Sequence, residues 1–359
     1  MRFFSLVSLN GPRDSRVVAT ILLDLPVLTT RCAEFIGSVC CAWQRAKIGL
    51  TVEMRWQTKC LLDTVKAVVP FQAQLRRLKD RVSPYVRDAS KDANTIQDGL
   101  RQIAWIGEIV RDAEILEIGT GWQPMIPILF ALAGARRVYM ADMHRLLRLD
   151  TFRAGLDSIR ENEAEIAKAL RISPEAILHA TRECQDMDSR MRELRLSYLC
   201  PCDCRSLPFN EASIDIVTSR AVLEHVPLDL IAAIFEEARR VLRPSGVMIH
   251  FIDNSDHWSH RDRRITAVNF LKFSDGVFRL MCINPQNYQN RLRHKEYLEL
   301  FSRTGFEIMR EESKVDASSM EALSSMRLEP RFQRFSRSEL AATESLFLAR
   351  PIRECARVS

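Results

Sequence analysis

The chain has 359 residues, 47% hydrophobic and 27% charged, with a formal net charge of +6. That length and apolar share can bury a sizeable core, as one large domain or two small ones, so disorder is not the leading reading. Twelve Gly and fourteen Pro are too few for a collagen-like or low-complexity protein. The apolar stretches Val17–Leu23 and Phe35–Trp43 fall short of the roughly 20 residues that cross a bilayer, and Asp24 and Glu34 interrupt them. Arg13, Asp14, Arg16 and Asp24 break the apolar core that a secretory signal would need. Ten Cys without a repeating framework read as reduced thiols, so a cytoplasmic protein is expected. The whole positive excess falls before Arg111, where bases alternate with acids, as on solvated helix faces.

Residues 1–70 carry weak helical patterns broken by Pro26 and Pro70. Apolar residues at helical spacing follow, first Leu75, Leu78 and Val82, then Ile96, Leu100, Ile103 and Ile106. An N-terminal helical extension over 1–93 is therefore expected, ahead of a second domain over 94–359. Glu114–Ile118 reads as a short buried strand, followed by Gly119-Thr120-Gly121 and an apolar helix over Met125–Ala135. Strand two, Arg137–Ala141, ends at Asp142; strand three, Leu196–Leu199, ends near Asp203; strand four, Ser213–Ser219, ends near Arg220; strand five, Val247–Ile252, ends at Asp253. A helix over Leu228–Leu242 separates the last two. A helical insert, 146–195, divides strands two and three, with a helix stop near Ser173-Pro174. Phe306–Glu311 and Ser345–Ala349 read as two final strands, antiparallel around a short helix with a capping box from Ser336 to Glu339. The expected fold is α/β: a doubly wound, mostly parallel, seven-stranded Rossmann-like sheet.

Ligands of such sheets bind outside the carboxyl ends of the strands. Gly119 and Gly121 permit close backbone approach there, and Glu117 just before them can orient the turn or meet a cationic group. Asp142, at the end of strand two, is placed to accept bonds from both ribose hydroxyls, and Asp203 can accept one from an adenine amino group. No third Gly completes a dinucleotide fingerprint, and no Gly-Lys-Ser/Thr forms a phosphate loop. An adenosine ligand without a polyphosphate remains.

These residues resemble the class I S-adenosylmethionine-dependent methyltransferases, of the type 11-like kind. Glu117-Ile-Gly-Thr-Gly121 is similar to that family's first motif, Asp142 to its ribose-binding acid and Asp203 to its adenine-contacting acid. Ser206-Leu-Pro-Phe209, Ile214-Asp-Ile-Val217, Val222-Leu-Glu-His-Val226 and Arg240-Val-Leu-Arg-Pro-Ser-Gly246 are similar to its later segments. The resemblance spans about Ile115 to Asp253. It implies S-adenosylmethionine as cofactor, and a cofactor-binding set of Glu117, Gly119, Thr120, Gly121, Asp142, Met143, Asp203, Cys204 and Arg220.

Methyl transfer from a sulfonium is an in-line displacement, which asks the protein chiefly for alignment and, with a hydroxyl or protonated amine as acceptor, for a base. His225, after strand four, and Asp256 and His257, after strand five, are the catalytic candidates. Glu224-His225 can equally cap the next helix. No metal is expected, because His250 falls within strand five and nothing completes a shell with His257 and His260. Cys200, Cys202 and Cys204 alternate on an extended segment as small buried side chains, not a zinc site. Asn290, Arg291 and Arg293 are candidate substrate-binding residues, since Arg forks suit carboxylate or phosphate; helix solvation or a salt bridge is their alternative. The stretch from Asn269 to Arg293 is similar to methyltransferase-like proteins of glycan or small-molecule pathways. The expected reaction is methylation of an oxygen or nitrogen of a small polar molecule or glycan intermediate. Alternatives are an RNA or protein methyltransferase, although nucleic acid is not the favoured partner, and a cofactor-binding regulatory protein. The oligomeric state stays open.

Overall fold

The structure, a computed structural model, describes residues 55–58, 60–61, 88–284 and 288–352, all within a compact unit spanning Arg55–Ser359. The readings at Leu75, Leu78 and Val82, and those over 1–54, lie outside the described residues.

Seven strands form a single sheet: β1 (Glu114–Ile118), β2 (Arg137–Ala141), β3 (Leu196–Leu199), β4 (Ile214–Arg220), β5 (Leu242–Asp253), β6 (Phe306–Val315) and β7 (Ala342–Pro351). Their order is β3-β2-β1-β4-β5-β7-β6. The first five run parallel, and β7 is antiparallel to both neighbours, β5 and β6. Side chains alternate faces along each strand. Ile115, Val138, Ile216 and Ile249 therefore enter one core cluster, and Leu116, Val217, Met248 and Ile252 enter another.

On the first face lie α1 (Ala89–Ile106) and α2 (Met125–Leu132), then the insert: α3 (Leu149–Glu161), α4 (Glu163–Leu170), α5 (Pro174–Ala180) and α6 (Met187–Glu193). Every residue of α2 from Met125 to Ala131 is buried, as an all-apolar helix requires. The opposite face carries α7 (Leu228–Val241) and α9 (His294–Arg303), whose Phe235, Tyr297 and Phe301 fill the second cluster. Helices α8 (Asp275–Met281), α10 (Ala317–Ala322) and α11 (Arg337–Leu340) belong to the later connections. Among the described residues no helix is long and apolar enough to cross a membrane.

Several boundaries differ from expectation, β7 for one running over Ala342–Pro351 rather than 345–349, and three have a visible reason. β5 starts at Leu242, not Val247, because Leu242 pairs with Ile214 before a register break. β6 continues four residues past Glu311; its outer half is exposed and so carries no apolar alternation to read. Ser173-Pro174 opens α5, the Ser173 hydroxyl accepting from Ala176 N at 3.3 Å, while α4 stops earlier, at Leu170. Helix α1 straddles the 93/94 boundary.

Helix α1 is bound to the sheet by polar contacts. Gln102, with no exposed surface, donates to Ser219 O at 3.1 Å and accepts from Thr218 Oγ1 at 2.7 Å. Asp98 pairs with Arg220 at 2.8 Å. Replacing Gln102 by Ala takes the acceptor from the buried Thr218 hydroxyl and a second donor from the Ser219 carbonyl, at about 1–3 kcal/mol in all. Urea unfolding of Gln102→Ala is expected to show a loss in that range; an unchanged midpoint would show that α1 is not anchored there.

Candidate active site

The carboxyl ends of β1, β2 and β3 meet at Asp142. Its backbone N–H donates to Leu199 O at 3.1 Å, and its carbonyl accepts from Cys202 N at 2.9 Å. Its carboxylate accepts from Gly121 N at 3.2–3.3 Å and from the Tyr198 hydroxyl at 3.1 Å. Burial pushes this carboxyl up to about 6, against the opposing pull of those two donors.

The turn after β1 is held from below. Glu117 is buried and accepts from the Thr120 hydroxyl, and burial pushes Glu117 up to about 8, so it braces the turn mainly as a neutral acid near pH 7. Gly119 and Gly121 both have positive φ, 74° and 73°, but for different purposes. A Cβ on Gly119 would stand 2.6 Å from Val222 Cγ2, whereas one on Gly121 would meet no atom within 4 Å. Gly119 thus admits Val222, two residues past β4, and Gly121 faces open space beside Asp142, where a ligand would fit.

The other residues of the expected cofactor set sit differently. Met143 is half exposed. Asp203 is clasped by the guanidinium of Arg205, Nη2 to Oδ2 at 2.6 Å, which holds its carboxyl at about 2. Cys204 is buried beside Cys202. Arg220 is committed to Asp98 and lies over the Phe251 ring, 5.5 Å from its centroid.

Past β4 and β5, His225 and His257 come together, ring centroids 4.9 Å apart. His225 reaches solvent at one side, and its Nδ1 lies 2.8 Å from Tyr288 O; the protein packed around the rest of the ring lowers its pKa, so Nδ1–H donates and Nε2 is unprotonated. His257 Nε2 lies 3.4 Å from Asp253 Oδ2, and His260 stacks on the far side of His257 at 5.0 Å. Burial would raise Asp253, but His257, Ser255 and His260 together outweigh it and hold the carboxyl at about 2. His250 is a core residue: it has no exposed surface, stacks on Phe235 and contacts Ser219 Oγ at 2.7 Å, and burial lowers it to about 3.

Asp256 and the three expected substrate-binding residues face inward. Asp256 has no exposed surface and accepts from Trp258 N and Asn269 Nδ2. Asn290 donates to Leu223 O and Val226 O. Arg291, 3% exposed, donates to Phe270 O, Phe273 O and Asp275, and Arg293, 1% exposed, to Asn254 O and Leu340 O. These side chains brace the loops that carry the histidines. Tyr198, under Asp142, went unnoticed in the sequence, and Glu224, near the two imidazoles, was read there only as a helix cap with His225.

Residues 156–250, about a quarter of the chain, match the family model described as a methyltransferase domain. That segment, from α3 into β5, is therefore similar to a methyltransferase domain. No curated protein matches it significantly. Similar solved structures include a putative methyltransferase from Bacillus halodurans C-125, 16% identical over 71% of this chain and 99% of that one, TM-score 0.39. Magnesium protoporphyrin IX methyltransferase from Synechocystis PCC 6803 is 13% identical, over 80% of this chain and 99% of that one, TM-score 0.40. At such scores these likenesses add nothing to the fold, which stands on its own strand order.

The two glycines should separate experimentally. Gly119→Ala and Gly121→Ala each force a non-glycine residue into the left-handed region, at about 1–2 kcal/mol, but only the first adds a clash. In urea unfolding Gly119→Ala is expected to lose clearly more stability, and Gly119→Ala/Val222→Ala to recover part of the difference; equal losses would contradict the assigned roles.

Proposed function

We propose that this chain methylates an oxygen or nitrogen of a small polar molecule or glycan intermediate, with S-adenosylmethionine as methyl donor. The observation that carries the reading is the open face of Gly121 beside a buried carboxylate at the ends of β1 and β2. The donor, when bound, supplies an electrophilic methyl carbon. Asp142, when ionised, accepts from the two ribose hydroxyls; a second acceptor pair there would not fit a phosphate, which repels a carboxylate. Glu117 and Thr120 hold the turn in the shape that leaves Gly121 uncovered. Helix α1, tied through Asp98 and Gln102, keeps the wall beside the strand ends in place. His225 and His257 form the polar surface at which an acceptor hydroxyl or ammonium gives up its proton, while Asp256 only fixes the loop on which His257 sits. Holding both reactants in line supplies most of the acceleration, on the order of 7–11 kcal/mol in well-oriented cases.

Calorimetric titration of the purified chain with S-adenosylmethionine and S-adenosylhomocysteine, with NAD and ATP as controls, tests the cofactor. Binding of the first pair alone is expected; binding of NAD or ATP instead would refute the assignment. Asp142→Asn should weaken the pair at least tenfold, about 1.4 kcal/mol. Because the ionised carboxylate is the acceptor and its pKa is about 6, affinity should be flat above that pH and fall about tenfold per unit below it, and Asp142→Asn should remove the slope. His257→Ala should leave affinity intact and lower transfer of a labelled methyl group to an acceptor fraction; weakened cofactor binding would place His257 elsewhere.

A further inference from the structure

We propose that Glu224, His225 and His257 form a divalent metal site of the zinc or cobalt type at the acceptor side of the sheet. One ligand atom from each of the three lies within 4.8 Å of the others. That is close enough for small side-chain rotations to bring a carboxylate and two imidazoles onto one ion. The strongest single pointer is Glu224. It is 1% exposed, no side chain bonds either carboxylate oxygen among the described residues, and only the backbone N–H groups of Glu224 and Asp253 approach it. An acid buried without a side-chain partner costs several kcal/mol unless something satisfies it, and its open side is toward the two imidazoles.

The second layer is also that of a metal site. Metal-ligating histidines commonly donate their other ring N–H to a carbonyl or carboxylate, which fixes tautomer and orientation. His225 Nδ1 sits 2.8 Å from Tyr288 O, so Nε2 is the free donor atom. His257 has Asp253 at 3.4 Å, and its backbone N–H donates to Gln289 Oε1, whose amide in turn donates to Ser255 O. The loop is thus pinned on both sides of the ring. Two nitrogens and one oxygen suit zinc, cobalt or manganese better than magnesium, which prefers an all-oxygen shell. Three protein ligands leave positions open toward solvent, where His225 is exposed. An acceptor bearing a hydroxyl or carboxylate would coordinate there, and the cation would favour loss of the hydroxyl proton to water before the methyl carbon is attacked. On this reading, which rests on the methyl-transfer assignment, the imidazoles act through a bound ion rather than as free bases.

The test is titration of the untagged, full-length chain with cobalt(II) and zinc(II) alone, magnesium serving as control, with S-adenosylhomocysteine affinity measured on the same samples. One equivalent of cobalt is expected, with a visible spectrum lacking thiolate charge transfer. Glu224→Gln and His257→Asn should each weaken it roughly tenfold or more and leave S-adenosylhomocysteine binding unchanged. Should Glu224→Gln fail to fold, His225→Gln, at an exposed position, carries the same expectation. Cobalt bound no better by the parent chain than by the variants, or bound through thiolate, overturns the site while leaving the cofactor reading intact. Cobalt bound as expected without any S-adenosylhomocysteine affinity supports the site and removes the methyl-transfer role built on it.

Discussion

Asp142 ties together the ends of three strands, and the geometry around the site depends on it. Its main chain closes the β2–β3 junction through Leu199 and Cys202, and its carboxylate reaches back across β1 to Gly121. One residue therefore fixes both the spacing of the strand ends and the conformation of the glycine turn. The arrangement holds a charge in a place where burial opposes it, with a pKa near 6 rather than 3.8. Such a carboxylate is under-satisfied with two donors, which is what a site for further hydroxyl donors requires.

The architecture was legible wherever burial leaves a periodic trace. Strands β1 and β2, the helix Leu228–Val241 and the antiparallel β6–β7 pair all match their sequence patterns, because each must present apolar residues to one or both faces. Where a strand is solvated, as in the outer half of β6, composition carries no signal. The start of β5 was hidden for another reason: Arg243-Pro-Ser-Gly246 reads as a turn, yet it continues the strand across a register break.

The site was legible in part. The glycines and Asp142 occupy the strand ends that their spacing implied, but their roles diverge in ways that only packing reveals. Gly119 is small because Val222 occupies the space a side chain would need. Arg291 and Arg293 show the limit most clearly. An arginine after a loop reads as a ligand fork, yet both here are buried and bonded to main-chain carbonyls, Arg291 also lying over Phe278 and Phe332. A guanidinium has five N–H donors, enough to satisfy several carbonyls at once, and nothing in a linear sequence distinguishes that use from anion recognition. Glu224 is the opposite case, an acid that adjacency to His225 disguised as a helix cap and that the fold leaves buried beneath the imidazoles.

Strand β7 lies between β5 and β6 although it follows both in the chain. Until residues 342–351 have been synthesised, β5 exposes an unpaired inner edge and β6 has no neighbour. Phe347, with no exposed surface, and the Ile249–Leu348 pairing belong to this late arrival. At a ribosomal pace of roughly 5–20 residues per second, the emerging chain carries that open edge for seconds after β5 is made. The parallel half and its glycine turn can form first, and the sheet is then completed by insertion into a waiting slot. Chaperone engagement during synthesis would accordingly concentrate on β5, and a ribosome stalled between residues 315 and 342 would display a nascent chain with a formed glycine turn and an uncovered sheet edge.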